Sequence, residues 1–285
     1  MEKLIQTNIE HLIALVEQAG AVILGLYKKQ DLKITMKQDF TPVTDADNAS
    51  NEILTKGLRH IFPAIPIISE ESNAPDYAIR REWEYLWLID PLDGTKEFIS
   101  RNGRFCINIA LVHRTEPVFG LIYNILDKEL IWTFKGSPCM LKQDGAVSPL
   151  PINLSKEPKF KMMVSRFNMT EQEFLYNDYL REKGFIIELI PMGASVKHTE
   201  VARGNADFFP KYGPCYEWDS AAGQVILESA GGFVLNPENR TPLTYNKEEL
   251  KNPPFIMFGK RIADMPPTKK NFFIHNAEIL HSGRK

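Results

Sequence analysis

Three apolar segments follow one another with only short turns between them: "FCINIALVH" from Phe105, "PVFGLIYNI" from Pro117 and "ELIWTF" from Glu129. Two further short strands precede them, "AIPIISEES" from Ala64 and "YLWLID" from Tyr85. Strands in succession, set between helices, imply an α+β half with an antiparallel sheet. Ahead of them, Ile5, Ile9, Leu12, Val16, Ala19, Ile23 and Leu26 recur at spacings of three and four, which predicts a core-facing helix over residues 4–28. A second helix is expected after Pro42 and the Thr44, Asp45, Asp47 cluster, with Ile53, Leu54 and Leu58 on one side.

The pattern changes after Phe134. The stretch "KGSPCMLKQDGAVSPLPINLSKEPK" is rich in Gly, Pro and Lys and reads as a boundary near residue 155. This gives two expected halves, 1–155 and 156–285. The second half alternates strand and helix: "KMMVSRF", "TEQEFLYNDYLREKG", "FIIELIPMG", "SVKHTEVARG", "ADFFPKY", "EWDSAAGQVILESAGG", then the strand "PFIMFGK". That rhythm predicts an α/β layer. The polar tail from Arg261 is expected to be loosely held or docked on the surface.

A formal net charge of -2 provides no basic field for a nucleic-acid polymer. No apolar run is expected to reach transmembrane length. Glu2, Glu10 and Glu17 interrupt any signal-peptide core, so the chain reads as cytoplasmic, with a peripheral position at the inner membrane as the variant reading. The three cysteines, Cys106, Cys139 and Cys215, have no paired spacing and read as free buried thiols. Trp83, Trp87 and Trp132 read as core aromatics.

Acids gather at strand ends and turns: Glu70 and Glu71 after "PIIS", Asp90 and Asp93 in "DPLDGT", and Asp219 opening "WDSAAGQ". Clustered carboxylates repel one another unless a cation neutralises them. An oxygen-only set suits magnesium. Pro91 stiffens the turn and Gly94 permits a tightly bent backbone, so the turn can aim Asp90, the Leu92 carbonyl and Asp93 at one point. No triphosphate-binding loop, dinucleotide fingerprint or serine-hydrolase elbow is present in the sequence. These residues alone allow magnesium-dependent phosphoryl chemistry, a calcium-stabilised cluster or a purely structural one. Asp47 and Asp219 could equally be helix caps. Lys197 and Arg166 could be solvated charges, and His198 could be a packing residue.

"PVTDAD", "SEES", "DPLDGT" and "WDSAAG", in this order, resemble the inositol monophosphatase superfamily of lithium-sensitive, magnesium-dependent phosphatases. The segments "DPLDGTKEFISRNGRFCINIALV" and "MGASVKHTEVARGNADFFPKYGPCYEWDSAAG" resemble its 3'(2'),5'-bisphosphate nucleotidase branch more than the inositol branch. The resemblance implies a layered α-β-α-β-α sandwich and two or three Mg2+ ions. It implies that Glu70, Asp90 and the Leu92 carbonyl hold one ion, and that Asp90, Asp93 and Asp219 hold a second. Glu71 lies next to a ligand position. Asp47 and Thr95 would orient or deprotonate the attacking water. The amides of Gly94 and Thr95 would cradle the scissile phosphate, with Glu70, Leu92, Asp93 and Asp219 also contacting substrate. Gly193, Ala194, Ser195 and Lys197 would form a second phosphate or ribose site. The implied reaction is hydrolysis of 3'-phosphoadenosine 5'-phosphate to AMP and phosphate, linked to sulfate assimilation, by a monomer or homodimer. Inositol phosphates or other small phosphomonoesters are the alternative substrates, and a catalytically silent metal or nucleotide sensor is the non-enzyme alternative. One position departs from the branch: "SRFN" carries Asn168 where many members have histidine.

Overall fold

A computed structural model describes residues 1–29, 34–36, 42–167 and 169–274. The chain opens with α1 (Glu2–Thr7) and α2 (Ile9–Tyr27). The expected single helix is therefore broken at Asn8, whose side-chain amide donates to the Leu4 carbonyl at 2.9 Å. A hairpin of β1 (Ile34–Met36) and β2 (Pro42–Thr44) leads into α3 (Asp45–Ile61). Next come β3 (Ile67–Ser69), α4 (Tyr77–Arg80), β4 (Tyr85–Asp93) and α5 (Thr95–Ile99). The meander β5 (Cys106–His113), β6 (Glu116–Asn124), β7 (Glu129–Phe134), β8 (Met140–Gln143) and β9 (Ala146–Pro149) completes a seven-stranded sheet in the order β3 to β9. All its pairings are antiparallel except β3 with β4.

The remaining chain alternates as β10 (Lys159–Ser165), α6 (Glu171–Glu182), β11 (Ile186–Met192), α7 (Val196–Arg203), β12 (Phe208–Lys211) and α8 (Glu217–Ser229). It finishes with β13 (Phe233–Leu235), β14 (Phe255–Phe258), α9 (Lys260–Ala263) and α10 (Pro267–Ile274). Its five strands lie in the order β11-β10-β12-β14-β13. The first three are mutually parallel, and β14 runs antiparallel to β12 and β13.

Alternation along each strand sorts the side chains into three cores, because successive residues face opposite sides of a sheet. Trp87 and Ile89 of β4 face α2 and α3, together with Ile109, Phe119 and Leu121. Leu86 and Leu88 face the other way, into a central core with Val201 of α7, Ala222 and Ile226 of α8, and Met163, Phe209 and Met257 of the second sheet. Met162, Phe208 and Ile256 point outward to pack with Tyr176 and Leu180 of α6, Ile262 and Phe273. The result is five layers, α-β-α-β-α, with α7 and α8 sandwiched between the two sheets. Close approach there requires Gly120: a Cβ on it would lie 2.4 Å from the Ala222 carbonyl oxygen of α8.

Two further expectations change, and of the two alternatives for the tail the structure selects docking. The Gly- and Pro-rich stretch after Phe134 contains the hairpin β8–β9, which turns at Asp144 and Gly145, both with positive φ. Helix α2 has 19 residues and is, by length and composition, apolar enough to cross a membrane. Here Leu12, Ile13, Val16, Ala19 and Ile23 are buried in the core it shares with α3. The tail from Arg261 docks firmly as far as Ile274: Phe273 is fully buried, and its carbonyl accepts from the Tyr176 hydroxyl at 2.7 Å. Residues 275–285 lie outside the described residues.

Candidate active site

Strand β4 carries the acids into the site. Regular pairing with β5 runs as far as Asp90 opposite Asn108, then breaks before Asp93. The break re-aims the side chains, as bulges do. Asp90 is buried, its Oδ1 accepting from the Leu92 N–H at 3.0 Å, and Ser50 of α3 donates to the Pro91 carbonyl at 2.7 Å. Gly94 turns the chain into α5 with φ of 94°, a left-handed conformation that favours glycine, and an added Cβ would meet the Arg104 carbonyl at 2.9 Å.

Glu70 follows β3, anchored by its N–H to the Ile89 carbonyl at 3.1 Å. Asp219 sits in the first turn of α8, where its Oδ2 accepts from the Tyr216 N–H at 2.8 Å. Carboxylate oxygens of Glu70, Asp90 and Asp219 lie within 4.8 Å of one another. Asp93 lines the same cavity. Its Oδ2 accepts from the Ser195 N–H, and from Asn108 Nδ2 at 3.2 Å. Burial pushes the Asp90 carboxyl well above the usual carboxylate range, and the charges of Glu70, Asp93 and Asp219 push it further. Burial, then Asp93 and Glu70, raise Asp219 to about 7. Such a cluster of hard oxygen donors, held together against its own repulsion, fits a divalent cation of the magnesium type.

Asp47 does two things at once. Its Oδ2 accepts from the Thr44 N–H at 2.7 Å and the Thr44 hydroxyl at 2.6 Å, completing a capping box on α3. Its Oδ1 accepts from the Thr95 hydroxyl at 3.0 Å. The helix-cap reading and the water-activating reading of this residue are thus compatible, because each uses a different oxygen. Burial raises its carboxyl above the usual range.

Ser195 is buried and knits the site together. Besides the N–H given to Asp93, its hydroxyl donates to the Asp219 carbonyl at 2.8 Å and accepts from Asn108 at 3.0 Å. Its amide is therefore turned to Asp93, and in the structure Ser195 braces two acid-bearing segments. Lys197 is buried too, not solvated. Its ammonium donates to the Ala194 and Met192 carbonyls at 2.8 and 3.3 Å and lies 5.1 Å from the Phe209 ring centroid. Burial lowers its pKa, Asp93 raises it and Lys211 lowers it again. Gly193 is fixed by contact: a Cβ there would overlap Glu97 Oε1.

The cavity measures about 460 Å³ and gathers Glu70, Asp90, Leu92, Asp93, Gly94, Thr95, Gly193, Ala194, Ser195, Lys197 and Asp219. Asp47 reaches it through Thr95, and Glu71 is not among the lining residues. Arg166, Lys211, Glu97, Phe167 and Tyr216 also line it. Of these, sequence reasoning had Arg166 only as a surface charge and did not single out the others. Nor did it single out Asn108. The sequence of β5 could have found that residue, since Asn108 is the polar side chain inside the apolar run from Cys106 to Val112. His198 lines the cavity but is buried and held neutral, its pKa lowered to about 3, first by burial and then by Lys197 and Lys211. Trp87 and Trp132 are buried, and Trp83 packs partly buried against the central core. All three cysteines are buried free thiols. Asn168 lies outside the described residues.

The layered fold thus carries at the end of β4 an acid cluster of the kind that can hold a divalent cation. The model of the inositol monophosphatase family matches residues 5–265. The chain belongs to that family. It is 35% identical over 248 residues to the 3'(2'),5'-bisphosphate nucleotidase CysQ of Salmonella typhimurium, covering 87% of this chain and 98% of the relative. The crystal structure of CysQ from Bacteroides thetaiotaomicron, a bacterial member of the inositol monophosphatase family, superposes with a TM-score of 0.79 at 37% identity, covering 90% and 98% of the two chains. An IMPase/NADP phosphatase crystallised with Mg2+ and phosphate shares the fold at 20% identity, with a TM-score of 0.72 and coverage of 90% and 92%.

Proposed function

We propose that this enzyme is a magnesium-dependent 3'(2'),5'-bisphosphate nucleotidase that hydrolyses the 3'-phosphate of 3'-phosphoadenosine 5'-phosphate to AMP and phosphate. The observation that carries the reading is a single cavity that pairs an oxygen-only acid cluster with the cations Arg166, Lys197 and Lys211. The curated relative of that name, alike over most of both chains, supports it.

Glu70, Asp90, the Leu92 carbonyl, Asp93 and Asp219 would hold two or three magnesium ions. When bound, these supply positive charge that neutralises the phosphate and acidifies water. The chain's own residues do the rest. The Thr95 hydroxyl, donating to Asp47, turns its lone pairs toward the attacking water. As the water attacks phosphorus, its proton passes to Thr95 while the Thr95 proton passes to Asp47. The ribose 3'-oxygen leaves with the P–O bonding pair and takes a proton from solvent. The backbone amides of Gly94 and Thr95 orient the scissile phosphate. The ammonium groups of Lys197 and Lys211, the Arg166 guanidinium and the amides of Gly193 and Ala194 receive the second phosphate. Three free thiols support a cytoplasmic location.

Phosphate release should therefore show a higher kcat/KM on 3'-phosphoadenosine 5'-phosphate than on inositol 1-phosphate. Equal or reversed values would leave a general inositol monophosphatase-like enzyme. Lys211 is half-buried, without an ion pair among the described residues. Lys211→Ala should lower kcat/KM on the bisphosphate about tenfold, the usual scale of a charged hydrogen bond, and lower it less on inositol 1-phosphate. An equal loss on both substrates would remove Lys211 from the second phosphate site.

A further inference from the structure

Five aromatic side chains line the acid-bearing cavity, and they differ in exposure. Phe209 and Phe255 are buried core residues, and Trp218 is half-buried. Phe167 and Tyr216, by contrast, are 48% and 38% exposed. They come from separate segments: Phe167 follows the end of β10, and Tyr216 immediately precedes α8. The Tyr216 ring lies flat on Trp218, with centroids 5.0 Å apart and planes inclined by 7°. Among the described residues this two-ring stack ends at Tyr216, and no ring contacts Phe167. A single exposed apolar side chain is ordinary. Two exposed aromatics at one charged cavity are a different matter, because neither metal ions nor phosphates make use of a ring face.

We infer that Phe167 and Tyr216 are aromatic walls that receive the nucleobase of the substrate, with Tyr216 extending its stack on Trp218 by one more ring. The inference rests on the nucleotidase reading above and names the residues that give that site its preference for base-bearing phosphoesters. Each wall offers a flat apolar face with few rotatable bonds, which suits a planar heterocycle. Stacking of this kind tolerates any base, because every base has a π-face. The walls therefore favour nucleotides over sugar and polyol phosphates, and they do not by themselves separate adenine from guanine. The base is remote from the reacting phosphorus, so its contact is equally strong in ground and transition states. Losing it raises KM and spares kcat.

The test compares Phe167→Ala and Tyr216→Ala with the wild-type enzyme, loaded with magnesium, on 3'-phosphoadenosine 5'-phosphate and on β-glycerol phosphate. Both positions are exposed, and a thermal melt checks that the variants fold. Each alanine variant is expected to raise KM for the nucleotide about tenfold, with a loss on β-glycerol phosphate at least about fivefold smaller. Phe167→Tyr and Tyr216→Phe, which keep the ring, should restore most of the nucleotide KM. If wild type prefers the nucleotide but the alanine variants keep its KM, or lose equally on both substrates, the aromatic walls are overturned and the nucleotidase assignment stands. If wild type shows no preference for the nucleotide, the assignment itself falls and the base-binding role falls with it.

Discussion

Asp90→Asn is expected to lose about a thousandfold or more of kcat/KM while making the metal-free protein more stable. Both effects come from the same charge. Asp90 is buried, and its carboxyl is pushed well above the usual range by burial and by Glu70, Asp93 and Asp219. Asparagine keeps an oxygen for the Leu92 N–H, so the turn survives. What disappears is the anion that a divalent cation needs and that its acidic neighbours repel. Such a trade of stability for function is expected at a metal site. The pH dependence has a definite sign. A carboxyl raised in the folded state binds its proton more tightly there than in the unfolded chain, so its contribution to stability is fully present at low pH and is lost as pH rises through the folded value. Asp219, raised from 3.8 to about 7 by burial, Asp93 and Glu70, gives the same kind of loss in both proteins, so the difference between them reports Asp90. Metal-free wild type should therefore lose melting temperature relative to Asp90→Asn as pH rises above the ordinary carboxylate range, because only wild type has a buried Asp90 carboxyl to ionise. Saturating magnesium should narrow the gap, because the cation favours the ionised acids. Substantial activity in Asp90→Asn, or parallel melting curves for the two proteins without metal, would contradict the assignment of Asp90 as a cation ligand.

Much of this site was legible in the sequence because its causes are local. "DPLDGT" contains its own turn chemistry, and Gly94 adopts the left-handed φ that its position requires. The layering was implied by the family resemblance alone, since "YLWLI" and "MMV" are unbroken apolar runs that do not show that Trp87 and Leu88, or Met162 and Met163, face different cores. What escaped depends on the tertiary fold. Nothing local joins Asn108 to Ser195, yet the two meet across 87 positions of sequence. Lys211 and Tyr216 sit on either side of an unremarkable "YGPC" stretch and gain meaning only once β12 and α8 converge on the cavity. The hairpin β8–β9 was hidden because every residue of β9 is exposed, leaving no apolar alternation to read. Helix α5 has only five residues, too few for a helical period to register. The α1–α2 break is invisible to periodicity, because Ile5 and Leu12 on either side of Asn8 are both buried in the same core.

Thr95→Ala is expected to lower kcat about a hundredfold or more, the scale of general-base assistance, with a much smaller change in KM. The hydroxyl donates to Asp47 Oδ1 at 3.0 Å and lies within 3.4 Å of the Leu92 carbonyl, so its orientation is set by the chain itself. A contact that strengthens as the water loses its proton belongs to the transition state, and its loss appears in kcat. Asp47→Asn removes the proton acceptor and should fall by a similar factor. It also perturbs the Thr44 capping box, so it should lose some stability, about 1 kcal/mol for a cap of this kind. Thr95→Ala leaves that cap intact and separates catalysis from folding. Thr95→Ser restores the hydroxyl and should recover most of the rate. The Thr95→Ala/Asp47→Asn double variant should be little worse than the poorer single variant, because the two residues act as one unit. Steady-state phosphate release on the four variants measures all of this. A Thr95→Ala defect confined to KM, a fully active Asp47→Asn, or strictly additive losses in the double variant would each show that the attacking water is activated elsewhere.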